Sequence, residues 1–179
     1  TDDYSDLGTL NFENNITPTF GDLDGDGDQD MIVGDSNGNI HLLNNIYFNN
    51  ASNFFIDAIE YFDIDVGSFA SPFLIDLDRD GDLDLIIGSR QGQIFHYNNE
   101  GSSSEANFVL ANEQFGNINL TDPIYGTAFT TPNMIDGENG YELFVGTEKG
   151  PMYHYTNIDD NLDGSFEEIS DTIILYSKG

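Results

Sequence analysis

Thr17-Pro18-Thr19-Phe20-Gly21-Asp22 opens a segment that passes through an acidic stretch into Met31-Ile32-Val33-Gly34 and on to a second glycine, Gly38. The same order returns 54 residues later as Ser71-Pro72-Phe73-Leu74-Ile75-Asp76, then Leu85-Ile86-Ile87-Gly88 and Gly92. A third copy starts 60 residues beyond the second: Thr131-Pro132-Asn133-Met134-Ile135-Asp136, then Leu143-Phe144-Val145-Gly146 and Gly150. Each copy also has a phenylalanine twenty residues past its first glycine, namely Phe54, Phe108 and Phe166. A spacing kept three times marks an internal repeat, and the repeat governs every later reading.

The apolar segments read as strands, being short, rich in β-branched and aromatic residues, and bounded by Gly, Asn, Asp and Pro. Gly34-Asp35-Ser36-Asn37-Gly38 has the form of a hairpin connection, with Gly38 free to take positive φ. Ser89-Arg90-Gln91-Gly92 and Thr147-Glu148-Lys149-Gly150 repeat it. Each unit then supplies four strands: one ending near the proline, one after the acidic loop, one after the hairpin (40–43, 94–97, 152–155) and one around the late phenylalanine. Four strands in about 55–60 residues make a β-propeller blade. No window has helical periodicity. The expected fold is all-β: three four-stranded propeller blades in one region, 1–179, with repeats near 7–58, 59–112 and 113–170. Residues 7–14 read as a strand remnant. The asparagine-rich joints at Asn44-Asn45, Asn49-Asn50 and 98–104 read as loops.

The chain has 179 residues, enough for one ordinary domain. Its 33 Asp and Glu against 4 Lys and Arg give a formal net charge of -29. Such a surface cannot neutralise a row of phosphates, so a nucleic-acid partner is excluded, as is an anionic membrane surface. There is no cysteine for a disulfide or a thiolate metal site. No apolar run approaches the ~18 residues of a membrane span. Acidity alone would suggest disorder, but 38% hydrophobic residues, including 14 Phe and 9 Tyr, can build a core. The acids are bunched into short blocks, and the bunching needs a local cause.

That cause lies in two loops. Asp22-Leu23-Asp24-Gly25-Asp26-Gly27-Asp28-Gln29-Asp30 and Asp76-Leu77-Asp78-Arg79-Asp80-Gly81-Asp82-Leu83-Asp84 both read D-x-D-x-D-G-D-x-D. Five carboxylates in nine residues repel one another unless a cation sits among them. Alternate spacing aims positions 1, 3 and 5 at one centre, the glycine at position 6 permits the sharp turn, position 7 offers its carbonyl, and position 9 closes the shell. All-oxygen donors in a flexible loop select Ca2+ over softer or smaller ions. Two calcium ions are expected. Asp22, Asp24, Asp26 and Asp30 would ligate by side chain and Asp28 mainly by carbonyl, with Asp76, Asp78, Asp80 and Asp84 matched by Asp82 in the second loop. An EF-hand would need Glu at position 12, where Val33 and Ile87 stand, and flanking helices. The third copy, Asp136-Gly137-Glu138-Asn139-Gly140-Tyr141-Glu142, is two residues and two acids short, so it is expected to turn tightly and hold no ion.

With these loops in hand, the chain resembles the FG-GAP/VCBS repeat family, the calcium-loop blades also found in integrin α-subunit propellers. The residues that carry the resemblance are the two aspartate loops, the Asp30-Met31-Ile32-Val33-Gly34 and Asp84-Leu85-Ile86-Ile87-Gly88 runs, the Gly-x-Ile continuations at Gly38 and Gly92, and the Phe20-Gly21 pair. The likeness implies a calcium-binding propeller serving extracellular or cell-surface recognition and adhesion, as in large secreted bacterial proteins. The expected function is therefore a non-enzymatic module in which calcium fixes blade geometry. A protein or glycan ligand would be met by the long loops at 44–54 and 98–107, and further blades would come from the same parent chain or another. The alternative is a propeller domain of a secreted polysaccharide-acting enzyme, although no nucleophile arrangement or phosphate-cradling loop is visible.

Other signals are weaker. His96 and His154 share a register just before Tyr97 and Tyr155, where the first repeat has Leu42, and read as ordinary strand positions. Asp159-Asp160-Asn161-Leu162-Asp163-Gly164 reads as a turn. Asn15, Asn50 and Asn119 begin N-glycosylation patterns, and Asp171-Thr172-Ile173 resembles a bacterial O-glycosylation acceptor.

Overall fold

The structure is a computed structural model that describes residue 12 and residues 14–48, 51–58 and 61–170. Most of the strand read in 7–14, the sequon residue Asn50 and the 171–173 acceptor lie outside those residues. The described chain is all-β, with three four-stranded antiparallel sheets in strict sequence order. The first sheet holds β1 (Thr17–Gly21), β2 (Asp30–Gly34), β3 (Ile40–Phe48) and β4 (Ala51–Ala58). The second holds β5 (Ser71–Ile75), β6 (Asp84–Gly88), β7 (Ile94–Asn99) and β8 (Phe108–Asn112). The third holds β9 (Thr131–Gly137), β10 (Gly140–Gly146), β11 (Met152–Thr156) and β12 (Glu167–Ser170). These are β-propeller blades. Helical structure among the described residues is confined to two short 3-10 turns, Tyr61–Asp63 and Phe115–Asn117. No helix there is long and apolar enough to cross a membrane.

The blades pack face to face. Ile32, Ile40 and Leu42 of the first blade meet Leu74, Leu85 and Ile87 of the second. Ile86, Ile94 and Phe115 of the second meet Met134, Leu143 and Val145 of the third. Side chains of alternate residues point to opposite faces, so a strand covered on both sides must be apolar throughout. That explains Asp30–Gly34 and Asp84–Gly88, in which all five residues are buried. Their final glycines have a packing reason: a Cβ on Gly34 would run into the carbonyl of Ala70, and one on Gly88 into that of Thr130. Both carbonyls belong to the segment leading into the next blade. The first strands β1, β5 and β9 line a cleft of about 540 Å³, with Pro18, Pro72 and Pro132 at matching places.

One expectation is corrected. Asn44-Asn45 and Asn98-Asn99 are not loops but lie inside β3 and β7. The 44–54 segment is therefore mostly the two arms of a strand pair, and only 100–107 is an open connection. Strand pairing prevails over the loop preference of asparagine because Asn45 and Asn99 have buried partners, described next.

Candidate metal centre

Each acidic loop joins the first strand of its blade to the second, so strand geometry fixes its two ends. Within the loops the aspartates organise the backbone. The Asp22 carboxylate accepts the N–H groups of Gly25 at 2.8 Å and Gly27 at 3.1 Å. Asp24 accepts the N–H of Asp26 at 3.1 Å, and Asp26 that of Asp28 at 3.0 Å. The second loop repeats the pattern: Asp76 accepts from Gly81 at 3.2 Å, Asp78 from Asp80 at 3.1 Å, and Asp80 from Asp82 at 3.0 Å. Successive Asx turns of this kind coil the loop around one centre.

Position 9 plays a second part. Both oxygens of Asp30 are held by backbone N–H groups, from Leu23 at 2.9 Å and Asn45 at 2.9 Å. Asp84 does the same with Leu77 at 3.0 Å and Asn99 at 2.8 Å. Both carboxylates are 1% exposed, so each pins the start of its loop to the third strand of the blade from inside the core. Burial raises Asp30 above the usual carboxylate range and lifts Asp84 to about 6, with the backbone hydrogen bonds opposing. Asp82 is raised too, by burial first and then by the charges of Asp80, Asp78 and Asp76.

The carboxylates converge. Oxygens of Asp22, Asp24 and Asp30 all lie within 4.8 Å of one another, and so do those of Asp76, Asp78 and Asp80. Positions 1 and 3 are common to both triples; position 9 completes the first and position 5 the second. Asp26, Asp28, Asp82 and Asp84 fall outside these triples. The Asp28 side chain turns instead to the N–H of Tyr47, at 3.0 Å.

A hard divalent cation suits this donor set. Oδ1 of Asp28 and Oδ1 of Asp76 are buried with no hydrogen-bond partner, an arrangement that leaves each loop with an unsatisfied acceptor. Like charges within a few ångströms are stabilised when a cation enters among them. The residues therefore fit calcium.

At the same place in the third blade the chain forms a tight hairpin. β9 and β10 pair up to Gly137 and Gly140, leaving only Glu138 and Asn139 at the tip. Glu142, in register with Asp84, lies beside Gly137 of that turn and bonds His154 Nε2 at 2.8 Å. Histidines at matching places differ in the same way: His96 is buried beside the Phe115 ring with an unpartnered Nε2, whereas His154 is stacked on Phe144.

Sequence reasoning missed three contributors. Asn45 and Asn99 carry the N–H groups that bind position 9, and the Asn99 side chain also accepts the N–H of Gly101 at 3.0 Å and Asn107 at 2.8 Å. Their 54-residue separation, equal to the repeat, was the available signal. Asp159, in the segment read as a turn, receives the N–H of Tyr141 at 2.6 Å, which no spacing rule reveals.

Residues 22–87 match the FG-GAP-like repeat family. The matched span contains both acidic loops, all of β2, and β6 as far as Ile87. No curated protein gives a significant match to the chain.

Proposed function

We propose, from the premise that residues 22–87 are an FG-GAP-like repeat region, that this chain is a calcium-binding, non-enzymatic recognition segment of an extracellular or cell-surface β-propeller. One observation carries the reading: two loops, a repeat apart, bring three carboxylates each to within 4.8 Å. Calcium is the ion such loops suit, with Asp22, Asp24 and Asp30 holding one and Asp76, Asp78 and Asp80 the other. When bound, it neutralises the crowded carboxylates and locks the connection between first and second strands. Asp30 and Asp84 pass that rigidity to the third strand through Asn45 and Asn99. The ion's part is structural, and the ligand is met by loops on the rim.

Further blades belong to the same reading. Leu74 and Met134 are buried by the neighbouring blade, whereas Phe20, at the same place in the first blade, is 50% exposed. On the far side, β10 alternates between buried and part-exposed residues where β2 and β6 are buried throughout. Gly146 keeps the glycine that Gly34 and Gly88 need, yet meets only Thr131 of its own sheet. Both end faces thus have the form of blade–blade interfaces.

Calorimetric titration of the metal-free chain tests the proposal. Two calcium ions are expected, falling to one when Asp22 and Asp24 are changed to Asn, and to one when Asp76 and Asp78 are. No calcium heat in the unaltered chain would defeat the reading.

A further inference from the structure

Arg79 occupies the fourth position of the second acidic loop, where the first loop has Gly25. Both residues are left-handed, Gly25 at φ 75° and Arg79 at φ 63°. Glycine adopts that conformation freely; a residue with a Cβ is strained there. The strain accompanies a set of contacts that glycine could not make. Arg79 Nη2 donates to Asp136 Oδ1 at 2.8 Å and to Asp159 Oδ1 at 3.0 Å. Nη1 donates to Asp136 Oδ2 at 3.2 Å, and Nε to Asp159 Oδ1 at 3.1 Å. The guanidinium carbon lies 4.1 Å from the centroid of the Tyr141 ring. Tyr141 returns the contact, its hydroxyl donating to the backbone carbonyl of Asp76 at 2.5 Å.

These residues are not arbitrary partners. Asp136 is the first position of the shortened third loop, the counterpart of Asp22 and Asp76. A planar guanidinium satisfies a carboxylate bidentately from one side, with no enclosing loop. Asp159, whose other oxygen holds the Tyr141 N–H, supplies the second anion.

We propose that Arg79 is the cation of the third blade, and that it couples ion occupancy of the second loop to the seating of that blade. The inference rests on the calcium reading above. An ion held by Asp76, Asp78 and Asp80 fixes the backbone on either side of Arg79 and aims the guanidinium at Asp136 and Asp159. Without the ion, mutual repulsion loosens the loop, and both the Arg79 and the Asp76–Tyr141 contacts loosen with it. The first loop has no equivalent arm, since Gly25 lacks a side chain and lies against Ser104 of the second blade.

Hydrogen exchange of the 179-residue chain with and without calcium tests the coupling. In the unaltered chain calcium is expected to slow exchange of the Tyr141 amide and of β9 and β10 about fivefold or more. Arg79→Gly, which relieves the backbone strain, is expected to keep two ions by calorimetry while that slowing is diminished, the Asp76–Tyr141 hydrogen bond alone remaining. The double change Asp136→Asn with Asp159→Asn removes the clamp from the other side and leaves the second loop intact; it should uncouple in the same way. Changing Asp22 and Asp24 to Asn should leave the third-blade response in place. Undiminished slowing in both clamp variants, with two ions bound, would overturn the coupling alone. Absence of calcium heat from the second loop in the unaltered chain would overturn the calcium reading and the coupling with it.

Discussion

The second and third blades meet the same structural demand by different chemistry. In the second, a nine-residue loop gathers carboxylates into a cage; in the third, a two-residue turn closes the hairpin and a guanidinium from the neighbouring blade lies against its first aspartate. Glu142 marks the divergence most clearly. It stands in register with Asp84, yet Asp84 is buried between two backbone N–H groups while Glu142 is drawn to His154. Loop length decides the outcome: the nine residues Asp76–Asp84 allow the chain to wrap a centre, and the seven of Asp136–Glu142 do not. A blade in this fold needs its strand connection fixed, and a loop of converging carboxylates and a tight backbone-paired hairpin are the two forms it takes here.

Removing the ion separates the two solutions with the largest effect. A ligand that binds only the folded state stabilises it by about 2.7 kcal/mol per site at a hundredfold excess over Kd. Chelation should therefore cost about 5 kcal/mol over two sites, a fall in Tm of about 10–20 °C for a chain of this size. Magnesium should restore little of it, because it demands tighter octahedral geometry. Thermal melts in EDTA, calcium and magnesium check this; an unchanged Tm after full chelation would erase the distinction between the blades.

Acid provides the next contrast, one strand further on. Burial pushes His96 of the second blade down to about 4, with Asp163 only partly opposing. The unfolded chain takes up a proton near 6.5, so stability is intact above that pH, is lost as pH falls through it, and levels off below about 4. The full loss is about 3 kcal/mol. His96→Leu, which installs the residue of the first repeat at Leu42, should abolish this share of the acid sensitivity. His154→Leu in the third blade should not. Denaturant titrations of both variants between neutral pH and pH 4 decide the matter, and equal effects from the two changes would refute it.

Much of this architecture was legible in the sequence because its determinants are local. The apolar runs, the hairpin glycines and the aspartate spacing each act within a few residues, so three blades and two loops could be read directly. The parts that were not legible depend on partners far along the chain. Asn45 reads as a loop residue until Asp30 is seen to hold its N–H across 15 positions, and then it belongs in a strand. Arg79 reads as an incidental loop residue until Asp136 and Asp159, 57 and 80 positions away, arrive beside it. Asp159 does lie in a turn, as it reads, but its contacts with Tyr141 and Arg79, 18 and 80 positions away, are not visible in the sequence. Repetition could have exposed the asparagines; nothing short of the fold exposes the arginine's partners.

A single-residue change at position 9 probes the metal loops more gently. Asp84→Asn replaces one accepting oxygen by a donor, which must then face the N–H of either Leu77 or Asn99. One buried N–H loses its acceptor, at a cost of about 1–3 kcal/mol. The same change weakens calcium at the second loop and leaves the first intact. Denaturant melts with and without calcium should show both losses. A variant as stable as the unaltered chain, with undiminished calcium affinity, would mean that the cage does not depend on its buried anchor.

The smallest effect is expected from the matching change in the third blade, and its smallness is the point. Glu142 and His154 have side chains 29% and 21% exposed, so their ion pair is partly screened by water. Pairs of this kind contribute about 0.2–1 kcal/mol. Glu142→Gln keeps an oxygen that accepts from His154 Nε2 and removes only the charge, so the expected loss is about 0.5 kcal/mol or less. No strand connection depends on that carboxylate, because the hairpin of β9 and β10 is closed by its own backbone pairing. The loss should also be the same with and without calcium. A calcium-dependent difference, or a loss near that of Asp84→Asn, would show that the short third turn gathers an ion after all. It would also mean that chain length does not separate the two kinds of blade.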